Sequence, residues 1–242
     1  MYLSLLDLIL ENSFIPFYGI TLILSISRYS KYYDTPLKYL PIIVLYTFLN
    51  EILGYFVLNY EEYALIFDDA YDSYTVVIYN IYNVFFYCYF FYLFWSYIES
   101  KKHRDIILIG GIVFLIVAAI NPFFQNILIE NQVLTYVVGG LILILSVLFY
   151  LIQARSEKNN LKLRNNILGW LSAGLLIFYS GYIPIKIYRY INSLNGVGEA
   201  SYVRRIQLSL IAAMYLCFII GLLRMKRRLP PSVKQREQME LS

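Results

Sequence analysis

The chain has 242 residues and a formal net charge of +4, with apolar side chains at 60% and charged ones at 15%. Soluble domains carry roughly 45–50% apolar and about 25% charged residues, so this composition excludes a water-facing globule and makes a bilayer the expected solvent. Cys88, Cys217 and the single histidine, His103, form no metal-ligand or disulfide spacing, and nothing points to a metal, a cofactor or nucleic acid.

The chain opens without the basic start of a cleaved signal peptide; Asp7 and Glu11 precede the first basic residue, Arg28. Seven apolar segments follow, at about 3–27, 40–59, 75–98, 106–121, 133–152, 167–188 and 203–223, each near the roughly 20 residues that cross a bilayer core. They predict an all-α, polytopic seven-helix bundle forming a single domain over 1–229. The fourth segment is the shortest and stops at Asn121-Pro122. After the seventh, Arg224-Met225-Lys226-Arg227-Arg228 forms a basic collar suited to anionic headgroups, and Pro230-Pro231 stops the helix. Residues 230–242 read as a disordered tail.

Loop charge sets the expected orientation. Of the 20 Lys and Arg, all but Lys186, Arg189, Arg204 and Arg205 lie in 28–38, 99–105, 153–165 and the tail from 224. Glu61, Glu62, Asp68, Asp69 and Asp72 lie in the link between the second and third segments, on the other side. Alternation of this kind places the N-terminus outside and the C-terminus in the cytoplasm. The setting expected is a bacterial inner (plasma) membrane.

Ionisable groups at membrane depth point to function, because they are costly there and need a partner or a wet cavity. Glu51 stands near the middle of the second segment, directly after Asn50, and Glu11 in the outer half of the first. Asn80, Asn83 and Tyr87 share one face of the third helix. Lys186 and Arg189 close the sixth, while Arg204 and Arg205 open the seventh, with Gln207 below. With the acidic 60–74 link, these groups predict an outward-opening polar pocket ending near Glu51. Ser209, Ala213, Cys217 and Gly221 form an i+4 stripe of small residues, expected to be a packing seam. The 26 tyrosines exceed what interfacial belts require, and those of the third helix (Tyr79, Tyr82, Tyr87, Tyr89) need internal hydrogen-bond partners. A codon bias toward Tyr, Ile, Asn and Lys is the plainer account of their number.

Two resemblances rest on short stretches. Asn80-Ile81-Tyr82-Asn83 and the aromatic run to Trp95 resemble uncharacterised seven-helix, multi-pass membrane proteins of Bacteroidota, which implies origin rather than activity. Thr35-Pro36-Leu37 to Asn50-Glu51-Ile52-Leu53 resembles the early helices of the lysoplasmalogenase family, usually eight helices long. That resemblance implies a lipid hydrolase with Glu51 as its catalytic acid, although Thr35 stands where the family has lysine and Asn50 where it has glycine.

The phosphate-binding, zinc-protease and serine-hydrolase motifs are absent, and no lysine lies between 206 and 223 to carry retinal in the usual way. The leading expectation is therefore a receptor-like or sensory protein that signals through a separate cytoplasmic partner or as a homo-oligomer, with the enzyme question left open and leaning against one. A small-solute transporter or channel subunit stands second and the hydrolase third.

Overall fold

The computed structural model describes residues 5–59, 71–128, 130–156, 166–198, 200–226, 228–233 and 235–236, with side chains from residue 14 onward except at 54–59, 71–75, 156 and 201. Seven α-helices account for most of them: α1 (Leu5–Ser27), α2 (Leu40–Asn59), α3 (Tyr71–Tyr97), α4 (Lys101–Ile120), α5 (Val133–Ser156), α6 (Ile167–Leu194) and α7 (Ser201–Arg224). No strand occurs among the described residues. Six helices, α2 to α7, are long and apolar enough to cross a membrane. α1 has 23 residues, enough for about 34 Å at 1.5 Å per residue.

Several helix ends differ from those expected. α4 begins at Lys101 rather than 106 and runs into a 3-10 turn at Asn121–Phe123, so the fourth segment is not short. Its first turn absorbs Lys101, Lys102 and Arg104, whose long apolar stems can lie along the helix while their charged heads reach water. α3 starts four residues early, and α6 continues six residues past 188. The α2 start is fixed locally: Thr35 accepts a hydrogen bond from the Leu37 amide, Pro36 opens a 3-10 turn to Tyr39, and Leu40 carries the chain into the helix.

The helices form a ring in the order α1, α2, α3, α5, α6, α7, closed by α7 against α1. α4 stands outside, against α3 and α5. Its Leu108, Ile109, Ile112, Val113, Leu115 and Ile116 are all exposed, as are Ile23, Ile42, Leu49 and Ile152 elsewhere, which makes an apolar belt suited to hydrocarbon. Inside the ring, Phe90, Leu93, Phe94, Leu171, Leu175, Phe218 and Leu222 are almost wholly buried. Among the described residues, the 28–38 link, the end of α3 and the chain after α7 meet at one end (the basic end); the 121–132 link, Lys186, Arg189 and Gln207 lie at the other (the far end).

Close approach depends on glycines at two places. On α5, a Cβ at Gly139 would meet Tyr87 at 2.7 Å and Phe114 at 2.8 Å, and one at Gly140 would meet Ile183 at 2.8 Å. Adjacent glycines thus admit α3 and α4 on one side and α6 on the other. Between α6 and α7, a Cβ at Gly174 would meet the Met214 carbonyl oxygen at 2.8 Å, and one at Gly221 would meet Trp170 at 2.7 Å. Cys217 and Gly221 of the expected stripe lie in this seam, with Cys217 Cβ 3.1 Å from the Gly174 position. Ser209 is exposed and donates to the Arg205 carbonyl, so the stripe turns out of the contact toward the far end; Ala213 is half-buried.

Of the described residues after α7, Met225, Leu229 and Ser232 are buried, and Gln235 and Arg236 are bonded to the body. Residues 237–242 lie outside the described residues, as do most of the acidic 60–74 link and the Glu11 side chain.

Gly139→Ala is expected to destabilise the bundle by about 1–3 kcal/mol, the usual effect of overpacking a filled interior. Gly111→Ala, whose Cβ would meet Phe91 at an ordinary 3.8 Å, should leave stability nearly unchanged. Denaturant unfolding of the two variants in detergent measures the difference.

Candidate functional site

A hydroxyl buried among apolar groups must bond to protein, because no water is at hand. Tyrosines of α1, α3, α5, α6 and α7 gather into one layer, which α2 completes through Thr47 and Glu51; the buried Tyr89 hydroxyl of α3 lies outside it and has no partner among the described residues. The Thr47 hydroxyl donates to the Ile43 carbonyl at 2.9 Å and so accepts from Tyr82 of α3; Tyr215 of α7 also reaches it. The Tyr215 ring meets Tyr18 of α1 edge-on, with centroids 4.4 Å apart. One turn beyond Thr47, the Glu51 carboxyl is hydrogen-bonded to Tyr79 of α3. Tyr87 of α3 donates to the Tyr136 carbonyl of α5 at 3.0 Å and is bonded to the hydroxyl of Tyr179 on α6.

Above this layer the far end carries a cationic rim. Lys186 donates to Asn131 Oδ1 at 3.1 Å and lies over the rings of Tyr136 and Tyr182, 5.6 and 6.0 Å from their centroids. Arg189 and Gln207 both donate to the Tyr182 hydroxyl, each at 3.4 Å. Tyr182 thus links the rim to the layer below, since its ring packs edge-on against Tyr136 at 5.5 Å. The exposed Arg204 and Arg205 complete the positive border.

The candidate residues do not all meet. Lys186, Arg189 and Gln207 converge on Tyr182, and Tyr87 joins the tyrosine layer. Asn80 stands apart: its amide donates to the Ile127 and Glu130 carbonyls at 3.0 and 2.9 Å and accepts from the Gln132 amide at 3.1 Å. It therefore holds the link between α4 and α5, where Asn121, Gln125 and Thr135 also bond to one another. Asn83 is half-buried one turn further along α3. Asn50 is buried, and its amide nitrogen has no hydrogen-bond partner among the described residues. Such a donor points to an acceptor that the protein's own described groups do not supply.

Tyr18, Thr47, Tyr136, Tyr179, Tyr182 and Tyr215 belong to the site but are not singled out by the sequence. The spacing Tyr179, Tyr182, Lys186, Arg189 does mark one face of α6. Which faces of six helices turn together is not written in any local pattern. Among the described residues, no group of three or more His, Cys, Asp or Glu is placed to hold a metal ion.

No family model, no curated protein and no solved structure matches this chain.

Asn80→Ala should loosen the 121–132 link, at about 1–3 kcal/mol for the groups left unpaired, whereas Tyr82→Phe should lose nearer 0.6 kcal/mol, the mean for one interhelical hydrogen bond in a membrane. Hydrogen exchange localises the first effect to residues 121–132. A uniform loss of protection through the bundle would contradict that assignment.

Proposed function

We propose that this is a receptor-like seven-helix membrane protein that takes a small polar ligand at the Lys186–Arg189–Gln207 rim and passes a helix movement to a separate partner at the basic end. By the positive-inside rule the rim faces outward and the basic end the cytoplasm of a bacterial inner membrane. The observation that carries the reading is the change in the ring interior along its axis. Toward the rim it holds a bonded layer of hydroxyls; toward the basic end it is filled mainly by Phe90, Phe94, Leu171, Leu175, Phe218 and Leu222, all nearly inaccessible, with the hydroxyls of Tyr89, Tyr150 and Ser172 among them. A polar entrance over a dry plug suits a ligand that binds and leaves by the same side. The layer touches every ring helix, so a ligand pulling on Tyr182 would shift contacts to α3, α5 and α7 together.

Transport is the second reading, favoured by Glu51 at membrane depth beside the unpartnered Asn50 amide. The hydrolase has less support: the group that bonds Glu51 among the described residues is a phenol, Tyr79, rather than a second carboxylate.

A panel of small carboxylates, phosphates and sugars screened by thermal shift should yield a compound that stabilises the protein. Lys186→Met should weaken its binding tenfold or more, since a hydrogen bond to a charged group contributes about 1.5–3 kcal/mol. Proteoliposomes should show no flux of that compound. Flux driven by a proton gradient and lost in Glu51→Gln would replace the receptor reading with transport, and an empty panel with unaltered Lys186→Met stability would count against the rim as a site.

A further inference from the structure

α7 ends at Arg224 with the carbonyls of its last turn in need of donors. Lys31, from the link between α1 and α2, supplies one, donating to the Met225 carbonyl at 2.6 Å and reaching the Lys226 carbonyl at 3.4 Å. The chain then crosses the basic end. The Leu229 amide donates to the Lys31 carbonyl at 2.9 Å, Arg228 lies over the Tyr33 ring, and Tyr97 at the end of α3 donates to the Pro230 carbonyl at 3.4 Å. Pro230-Pro231 stiffens the crossing and has no amide hydrogen to leave unpaired. Beyond it, Ser232 and Gln235 form a reciprocal cap: the Ser232 amide donates to Gln235 Oε1 at 2.8 Å, and the Gln235 amide donates to Ser232 Oγ at 3.4 Å. The other end of the Gln235 side chain donates to the Asp34 carbonyl, and Arg236 pairs with Glu99 at 3.0 Å.

These contacts tie three helix ends together, those of α1, α3 and α7. They also border a cavity of about 270 Å³ that is partly open to the outside. It is lined by Tyr92, Trp95 and Ser96 of α3, by Asp34, Thr35, Pro36 and Lys38 before α2, and by Ser232 and Gln235 after α7. Ser96 is only 4% exposed within it.

We propose that the described residues between Met225 and Arg236 act as a releasable strap whose detachment frees the ends of α1, α3 and α7 and widens the cavity between the α1–α2 link and α3, exposing Ser96. The fastening is suited to release. It consists of one main-chain bond, single side-chain bonds from Lys31, Tyr97 and Gln235 to carbonyls, one cap, the Arg228–Tyr33 contact and a Glu99–Arg236 pair whose side chains are both about half exposed, and such pairs hold weakly. The strap's own apolar grip is small, chiefly Met225 and Leu229. This inference is independent of whether the far end binds a ligand.

The test uses Ser96→Cys in full-length protein carrying Cys88→Ser and Cys217→Ser, labelled in detergent with a charged, water-soluble maleimide. Slow labelling is expected with the strap intact. Arg236→Glu or Glu99→Arg should each speed labelling about two- to fivefold, and the two together should restore the slow rate. A chain ending after Arg228 should label at least tenfold faster. Equal rates in the intact protein and the single-reversal variants would overturn the strap, as would a double reversal no slower than either single one. Because the reversals keep the whole chain, the outcome stands even if the shortened chain fails to fold.

Discussion

A phenol inside a bilayer finds bonding partners only in protein, and the middle of this bundle is arranged around that fact. Tyrosines on α1, α3, α5, α6 and α7, with Thr47 on α2, place their polar tips in one layer. Each ring also fills space between helices, so the same side chains supply packing and hydrogen bonding. The two roles cannot be separated by moving a helix: a shift that breaks a hydroxyl contact also opens a void. That coupling ties the ring helices together at this level, and toward the basic end phenylalanines and leucines take a larger share of the interior beside Tyr89 and Tyr150.

The helical architecture was largely legible because the bilayer imposes it. Runs near 20 residues and the alternation of basic links are physical requirements, so they survive in a single sequence. Helix ends were less legible, since Lys101 and Arg104 at the start of α4 read as loop residues although a helix accommodates them. The site was legible only where one helix carries it. Lys186 and Arg189 share a face of α6, and that can be read from spacing. The separation of Asn80 from Glu51 could not, because it depends on the path of the 121–132 link, which offers Asn80 two carbonyls and an amide. Likewise Gly139-Gly140 looks unremarkable in the sequence and acquires meaning only when Tyr87, Phe114 and Ile183 arrive from three other helices.

The basic end shows a different economy of forces from the interior. There the contacts are single hydrogen bonds, a cap and a half-exposed ion pair, each individually weak. Tyr32 is held more firmly. It is fully buried, its hydroxyl donates to the Ser25 carbonyl, and burial holds its phenol protonated well above the usual range. It anchors the link from which Lys31 and Asp34 hold the strap. A firm base thus carries a light fastening.

α4 lies outside the ring, and this changes what the helix is for. α3 and α5 are in direct contact, and α4 is the connection that joins the end of one to the start of the other. It packs on α3 and α5, and most of its surface is apolar and exposed. Selection on it is therefore mainly for length and greasiness, with Phe114 and Ile107 as its buried footholds. Drift should run faster along its outward face than anywhere in the ring, and lineages can be expected to diverge there first while keeping the enclosed layer intact.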